Sequence, residues 1–182
     1  MKQIIAFIGR AGSGKDYQSN LLVEKGFTRL AFADVLRHIT ADICRISYKD
    51  MMDIYEDFKE GEYFPHYTGR QLLENIGKAI RVYDDQFWVK GVLNKIQSEN
   101  IEKVCISDMR YINEYFALKE FADKNGYDFK CIFCDFHSSR YQQYNNHESA
   151  QLSNYLCDNG FKDLQEINYE DVKRIKEDLC QK

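Results

Sequence analysis

Residues 9–16 read Gly-Arg-Ala-Gly-Ser-Gly-Lys-Asp and follow directly on the apolar run Ile4-Ile5-Ala6-Phe7-Ile8. No other feature constrains the fold as strongly, because the pattern demands a strand, a glycine turn and a helix in immediate succession. The glycines let backbone N–H groups turn inward around an anion that side chains would otherwise obstruct. Lys15 adds a point charge, and a helix opening at Gly14 presents its positive dipole end. The spacing predicts a loop in which Gly9, Arg10, Ala11, Gly12, Ser13, Gly14, Lys15, Asp16 and Tyr17 surround the phosphates of ATP. The alternative is a glycine-rich turn with no ligand. One position departs from the pattern: Asp16 stands where a Ser or Thr hydroxyl normally reaches Mg²⁺. A carboxylate beside a triphosphate repels it unless a cation intervenes. Asp16 is therefore expected either to partner Mg²⁺ through water or to turn aside.

The 182 residues suffice for one domain with a sizeable core, so a single domain over 1–182 is expected. The net charge of −4 argues against a nucleic acid or an anionic membrane as main partner. No stretch reads as a membrane span, and the short apolar run ending at Gly9 reads as a strand rather than a signal peptide. The expectation is a soluble cytoplasmic protein, monomer or homodimer. Six cysteines (44, 105, 131, 134, 157 and 180) are read as thiols in a reducing compartment. Cys131 and Cys134 have zinc-ligand spacing, but on a strand residues three apart face opposite sides.

Along the chain, apolar runs alternate with helical periodicity, which favours a parallel sheet covered by helices. Candidate strands are Gln3–Ile8, Phe27–Ala31, Lys103–Ser107, Asp128–Cys134 and a short Asn154–Cys157. Candidate helices are Lys15–Glu24, Ala33–Cys44, Gly69–Val82, Asp85–Ser98, Asn113–Lys124 and Lys162–Leu179. Two segments break the alternation: a helical insertion at about 32–100, with a polar aromatic loop at Asp57–Thr68, and a polar stretch at about 137–151. Insertions at the carboxyl ends of strands are where acceptors bind and lids close, which is the layout of a small-molecule kinase.

Candidate chemistry follows from these positions. Asp108 ends an apolar strand expected beside the loop strand, where a metal-organising carboxylate is needed, and Arg110 follows two residues on. The alternative is that Asp108 caps the next helix and Arg110 pairs with Glu114. Asp34 and Arg37 share a helix face at the start of the insertion, so Arg37 is expected to hold an acceptor phosphate, or else to form a surface ion pair. Arg70 opens a helix against the dipole, which implies an anionic partner. Trp88 either stacks on a base or belongs to the core. In the lid, Arg140 is the candidate cation over the transferred phosphoryl group, with His147 and Glu148 nearby.

In order, segments 9–16, Phe-Ala-Asp-Val-Leu-Arg (32–37), Gly-Arg-Gln-Leu-Leu-Glu-Asn-Ile-Gly (69–77), Asp-Asp-Gln-Phe-Trp-Val-Lys (84–90), Ile-Ser-Asp-Met-Arg-Tyr-Ile-Asn-Glu (106–114) and His-Glu-Ser (147–149) are similar to the deoxynucleoside monophosphate kinases of tailed bacteriophages. The Asp-Val-Leu-Arg segment also resembles the acceptor-helix motif of adenylate kinases. Two departures stand out: Tyr17 where the family often has Thr, and Met109 with Tyr111-Ile112 after the strand. The resemblance implies an α/β P-loop kinase with a five-stranded parallel sheet, helices on both faces, an acceptor-binding insertion and a lid. It implies Arg37 and Arg110 as the acceptor clamp and Arg140 as a lid residue. The expected reaction is transfer from ATP with Mg²⁺ to a (deoxy)nucleoside monophosphate, with Lys15 on the phosphates and Asp108 and Asp16 toward the metal. Asp34, Arg37, Arg70, Trp88 and Arg110 are expected at the acceptor. Two other readings remain: a kinase acting on dephospho-coenzyme A or phosphomevalonate, and a regulatory module that binds ATP without transferring phosphate.

Overall fold

The computed structural model of the chain describes residues 1–10, 12–64, 66–135, 151–161 and 164–180. They form two compact units: Met1–Ala31 with Val92–Lys182, and Phe32–Gly91. No helix among the described residues is long and apolar enough to cross a membrane.

The first unit is built on strand β1 (Gln3–Ile8), which pairs in parallel with β5 (Lys103–Met109) on one side and β6 (Asp128–Phe133) on the other. Strand β2 (Thr28–Leu30) extends the sheet beyond β5, and β7 (Gln165–Glu166) closes it beyond β6, giving the order β2-β5-β1-β6-β7. The chain leaves β1 for β2 on one side and later adds β6 on the other. The order therefore reverses at β1, the kind of switch point at whose carboxyl end open α/β sheets generally bind ligands.

Side-chain parity assigns the two faces. Phe7, Phe27, Cys105 and Cys134 cluster on one face, with Leu22 of α1 (Lys15–Val23) packed against them. Ala6, Ile106 and Cys131 are in register on the other face. There Tyr115 of α7 (Ile112–Asn125) meets Phe129 edge-on at 5.3 Å. Helices thus cover both faces, and central strands buried on both sides read as near-continuous apolar runs.

Two expectations about the sheet are corrected. Four strands are parallel, but β7 runs antiparallel to β6. The expected strand Asn154–Cys157 lies inside helix α8 (Gln151–Asp158), where Leu152 and Leu156 are buried at helical spacing. The actual edge strand is two exposed polar residues, with no apolar pattern to reveal it. The last helix, α9 (Tyr169–Cys180), starts later than Lys162, and residues 162–163 lie outside the described ones.

The second unit contains α2 (Ala33–Ile43), α3 (Tyr48–Asp53), α4 (Tyr55–Glu60) and α5 (Gly69–Tyr83); its boundary with the first falls within α6 (Phe87–Ser98). Ala41, Met51, Phe58 and Leu73 form its core, with Leu36, Tyr55 and Tyr63 packed around them. The segment read as a loop at Asp57–Thr68 holds the end of α4 and a hairpin of β3 (Glu62–Phe64) and β4 (Tyr67–Thr68). Thr68 and Gln71 form a capping box that starts α5.

Candidate active site

The loop after β1 is held by contacts that depend on glycine. A Cβ on Gly9 would lie 2.1 Å from the carbonyl oxygen of Cys134 and 2.5 Å from Ser13 Oγ, so no other residue fits there. Gly14 caps α1 at φ 86°, and no side chain at that cap accepts a bond from the first turn. Lys15, only 8% exposed, folds back so that Nζ donates to Gly9 O at 2.8 Å, to Arg10 O and to Ser13 Oγ at 3.3 Å. Its pKa falls from 10.5 to about 8, chiefly through burial and then through the nearby Arg110 guanidinium, against the raising effect of Asp16, Cys134 and Asp108. Two cations within electrostatic range of each other, one of them buried, are what a polyanion would relieve.

Asp16 has turned to the second strand: Arg29 Nη2 donates to its Oδ1 at 3.0 Å, and the carboxylate is 77% exposed. Tyr17 is exposed as well. Arg10 donates through Nε to Asn154 Oδ1 of α8 at 3.1 Å, a contact no sequence spacing could indicate. Ala11, Arg140, His147 and Glu148, and all but the last residue of the lid expected at about 137–151, lie outside the described residues.

Strand β5 brings Asp108 beside the loop strand by an irregular route. Ala6 pairs with Ile106 but Ile8 pairs with Met109, so β5 carries one residue more than β1 over this step. Beyond it, buried Glu114 takes the backbone amide of Arg110 at 2.7 Å and that of Tyr111 at 3.0 Å on the same oxygen, Oε2. Glu114 thereby fixes the turn that carries Arg110. This contact between Arg110 and Glu114 is made by the Arg110 peptide N–H.

No group of three or more His, Cys, Asp or Glu gathers among the described residues in a way that could hold a metal ion. A cation bound mainly by nucleotide phosphates and water, with one or two carboxylates, fits such a donor set, and Mg²⁺ is commonly held in that manner.

In the second unit, Arg37 Nη1 donates to Asp34 Oδ1 at 2.8 Å and Nε donates to the Tyr55 hydroxyl at 3.3 Å. The ion-pair alternative for Asp34 and Arg37 is thus present, and Tyr55, which sequence reasoning missed, adds a second hold. Arg70 Nη2 pairs with Glu60 Oε1 at 2.5 Å, so a carboxylate of α4 is an anionic partner for the arginine that opens α5. This pairing also lowers the pKa of Glu60. Trp88 is 3% exposed, donates from Nε1 to Gly77 O at 3.3 Å and meets Phe87 edge-on at 5.1 Å. That placement fits the core alternative for the indole.

No protein-family profile matches the chain, and no curated protein matches it. Among solved structures, it is similar to a mutant of the Mycobacterium tuberculosis APS kinase CysC, at 17% identity and a TM-score of 0.40, over 86% of this chain and 95% of that one.

Proposed function

We propose that the chain is an ATP-dependent kinase that transfers the γ-phosphoryl group to a (deoxy)nucleoside monophosphate, as the resemblance to the phage enzymes implies. The observation that carries this reading is Lys15: a buried ammonium, within range of Arg110, in a glycine loop at the carboxyl end of the central strand. The loop amides and Lys15 hold the β and γ phosphates, and Arg110 faces the transferred group or the acceptor phosphate. Arg37 and Arg70 of the second unit bind the acceptor, with Asp34 orienting Arg37; Arg140 belongs to the lid. Asp108 would hold Mg²⁺, with Asp16 a further partner through water, and the ion would supply charge neutralisation on the phosphates. Transfer to a phosphate already ionised near neutral pH needs little general base, so these residues act by position and charge.

The test is ADP formation by the purified protein across the ribo- and deoxyribonucleoside monophosphates. Turnover with at least one of them, abolished in Lys15→Ala, is the expected result. Turnover only with dephospho-coenzyme A or phosphomevalonate would move the acceptor to another class. Tight ATP binding without ADP from any acceptor would make the chain a nucleotide sensor.

A further inference from the structure

The register slip in β5 changes which way its last residues face. Ile5 is in register with Cys105 and Ala6 with Ile106, so Cys105 shares the face of Ile5 and Phe7. Met109 is in register with Ile8 and so returns to the face of Ala6 and Ile106. Ser107 and Asp108 both fall between, opposite Phe7 alone. A regular strand would send them to opposite faces; the bulge puts both on Phe7's side. This is the side of α1, because Leu22 packs against that cluster and the Cys105 thiol donates to Ser19 O at 3.7 Å.

The height of Ser107 follows from the same contact. Helix α1 starts at the carboxyl end of β1 and runs back along the sheet. From Cys105 to Ser107 the bulged strand climbs about 5 Å, because its four steps to Met109 cover only three of β1, and from Ser19 back to Lys15 the helix climbs about 6 Å. Ser107 therefore stands level with Lys15. It is 2% exposed, and its Oγ has no hydrogen-bond partner among the described residues. A buried hydroxyl left unpaired costs free energy, so this one awaits a partner. Meanwhile Asp16, at the position whose hydroxyl would ordinarily reach the cation, is drawn to Arg29.

We propose that the Ser107 hydroxyl supplies, beside Asp108, the neutral oxygen ligand for the divalent cation that Asp16 does not provide. The inference rests on the reading that the loop binds ATP with such a cation. It is tested with Mn²⁺ and ATP on the full chain, following Mn²⁺ binding by electron paramagnetic resonance and ATP binding by calorimetry with and without cation. Ser107→Ala is expected to weaken Mn²⁺ binding in the ATP complex about tenfold while leaving cation-free ATP affinity unchanged. Ser107→Cys is expected to bind Cd²⁺ better than Mg²⁺, as a soft ligand requires. Asp16→Thr in the Ser107→Ala background is expected to restore Mn²⁺ binding by returning a hydroxyl to the loop. Wild-type Mn²⁺ affinity in Ser107→Ala, with no change of metal preference in Ser107→Cys, would overturn the inference and leave Ser107 a packing residue. Failure of the wild-type chain to bind ATP at all would instead overturn the reading on which it rests.

Discussion

Lys15 carries two opposed demands. Burying its ammonium costs the folded chain stability, and under the proposed function the same burial readies a cation for the phosphates. Its folded pKa of about 8 lies below the ordinary 10.5, so between those values the native state holds fewer protons than the unfolded chain. The penalty is complete below pH 8, and stability contributed by this group rises as pH passes from 8 to 10.5. Lys15→Met is therefore expected to raise the urea-unfolding free energy at pH 7 by about 1–3 kcal/mol while abolishing ATP binding. ATP favours the protonated ammonium, so affinity should be steady below pH 8 and decline above it, by up to tenfold per unit. Calorimetry between pH 7 and 9.5 checks the decline, and Lys15→Arg, which does not titrate there, should bind with a flat profile. A Lys15→Met protein no more stable than wild type would remove the stored penalty. A second single-residue device is the hold on Arg37. Tyr55→Phe removes only the hydroxyl that accepts from Arg37 Nε. It should raise the KM for the monophosphate several-fold, with kcat little changed and no further effect in Arg37→Ala. Additive effects in the double variant would mean that Tyr55 acts independently of Arg37.

Strand β5 and the turn after it show how an element aims its residues. The bulge opposite Phe7 places Ser107 and Asp108 on one face, and Glu114 then fixes the peptide of Arg110. Removing Glu114 leaves two part-buried amides without their acceptor. Glu114→Ala should thus cost about 2–4 kcal/mol in denaturant unfolding, whereas Glu114→Gln, which keeps one acceptor oxygen, should cost distinctly less. Equal losses in the two variants would show that the charge, not the acceptor geometry, matters. Helix α5 makes a related point: its unfavourable first-turn arginine is balanced by Glu60 of α4, a partner ten residues back.

The chain as a whole divides its proposed chemistry between two units. The phosphate loop, Asp108 and Arg110 belong to one, and Asp34, Arg37 and Arg70 to the other. Kinetics should separate accordingly. Arg37→Ala and Arg70→Ala are expected to raise acceptor KM at least tenfold with the ATP dissociation constant unchanged. Gly9→Ala, which forces a Cβ into the Cys134 carbonyl, should abolish ATP binding. Loss of ATP affinity in Arg37→Ala would contradict this division. The strand, glycine loop, lysine and following helix were legible in the chain because their signal is contiguous: nine residues specify their own backbone and charge. The central strands β1, β5 and β6 were legible because burial on both faces leaves an apolar run. Other features depend on residues far apart in sequence: Arg29 facing Asp16, Arg10 facing Asn154, and the antiparallel edge at Gln165–Glu166. Above all, the face on which Asp108 lies, alongside Ser107 rather than opposite it, turns on a one-residue slip between β1 and β5. Strand side chains alternate with period two, so such a slip reverses their direction, and pairing across the sheet sets it while composition along the strand does not.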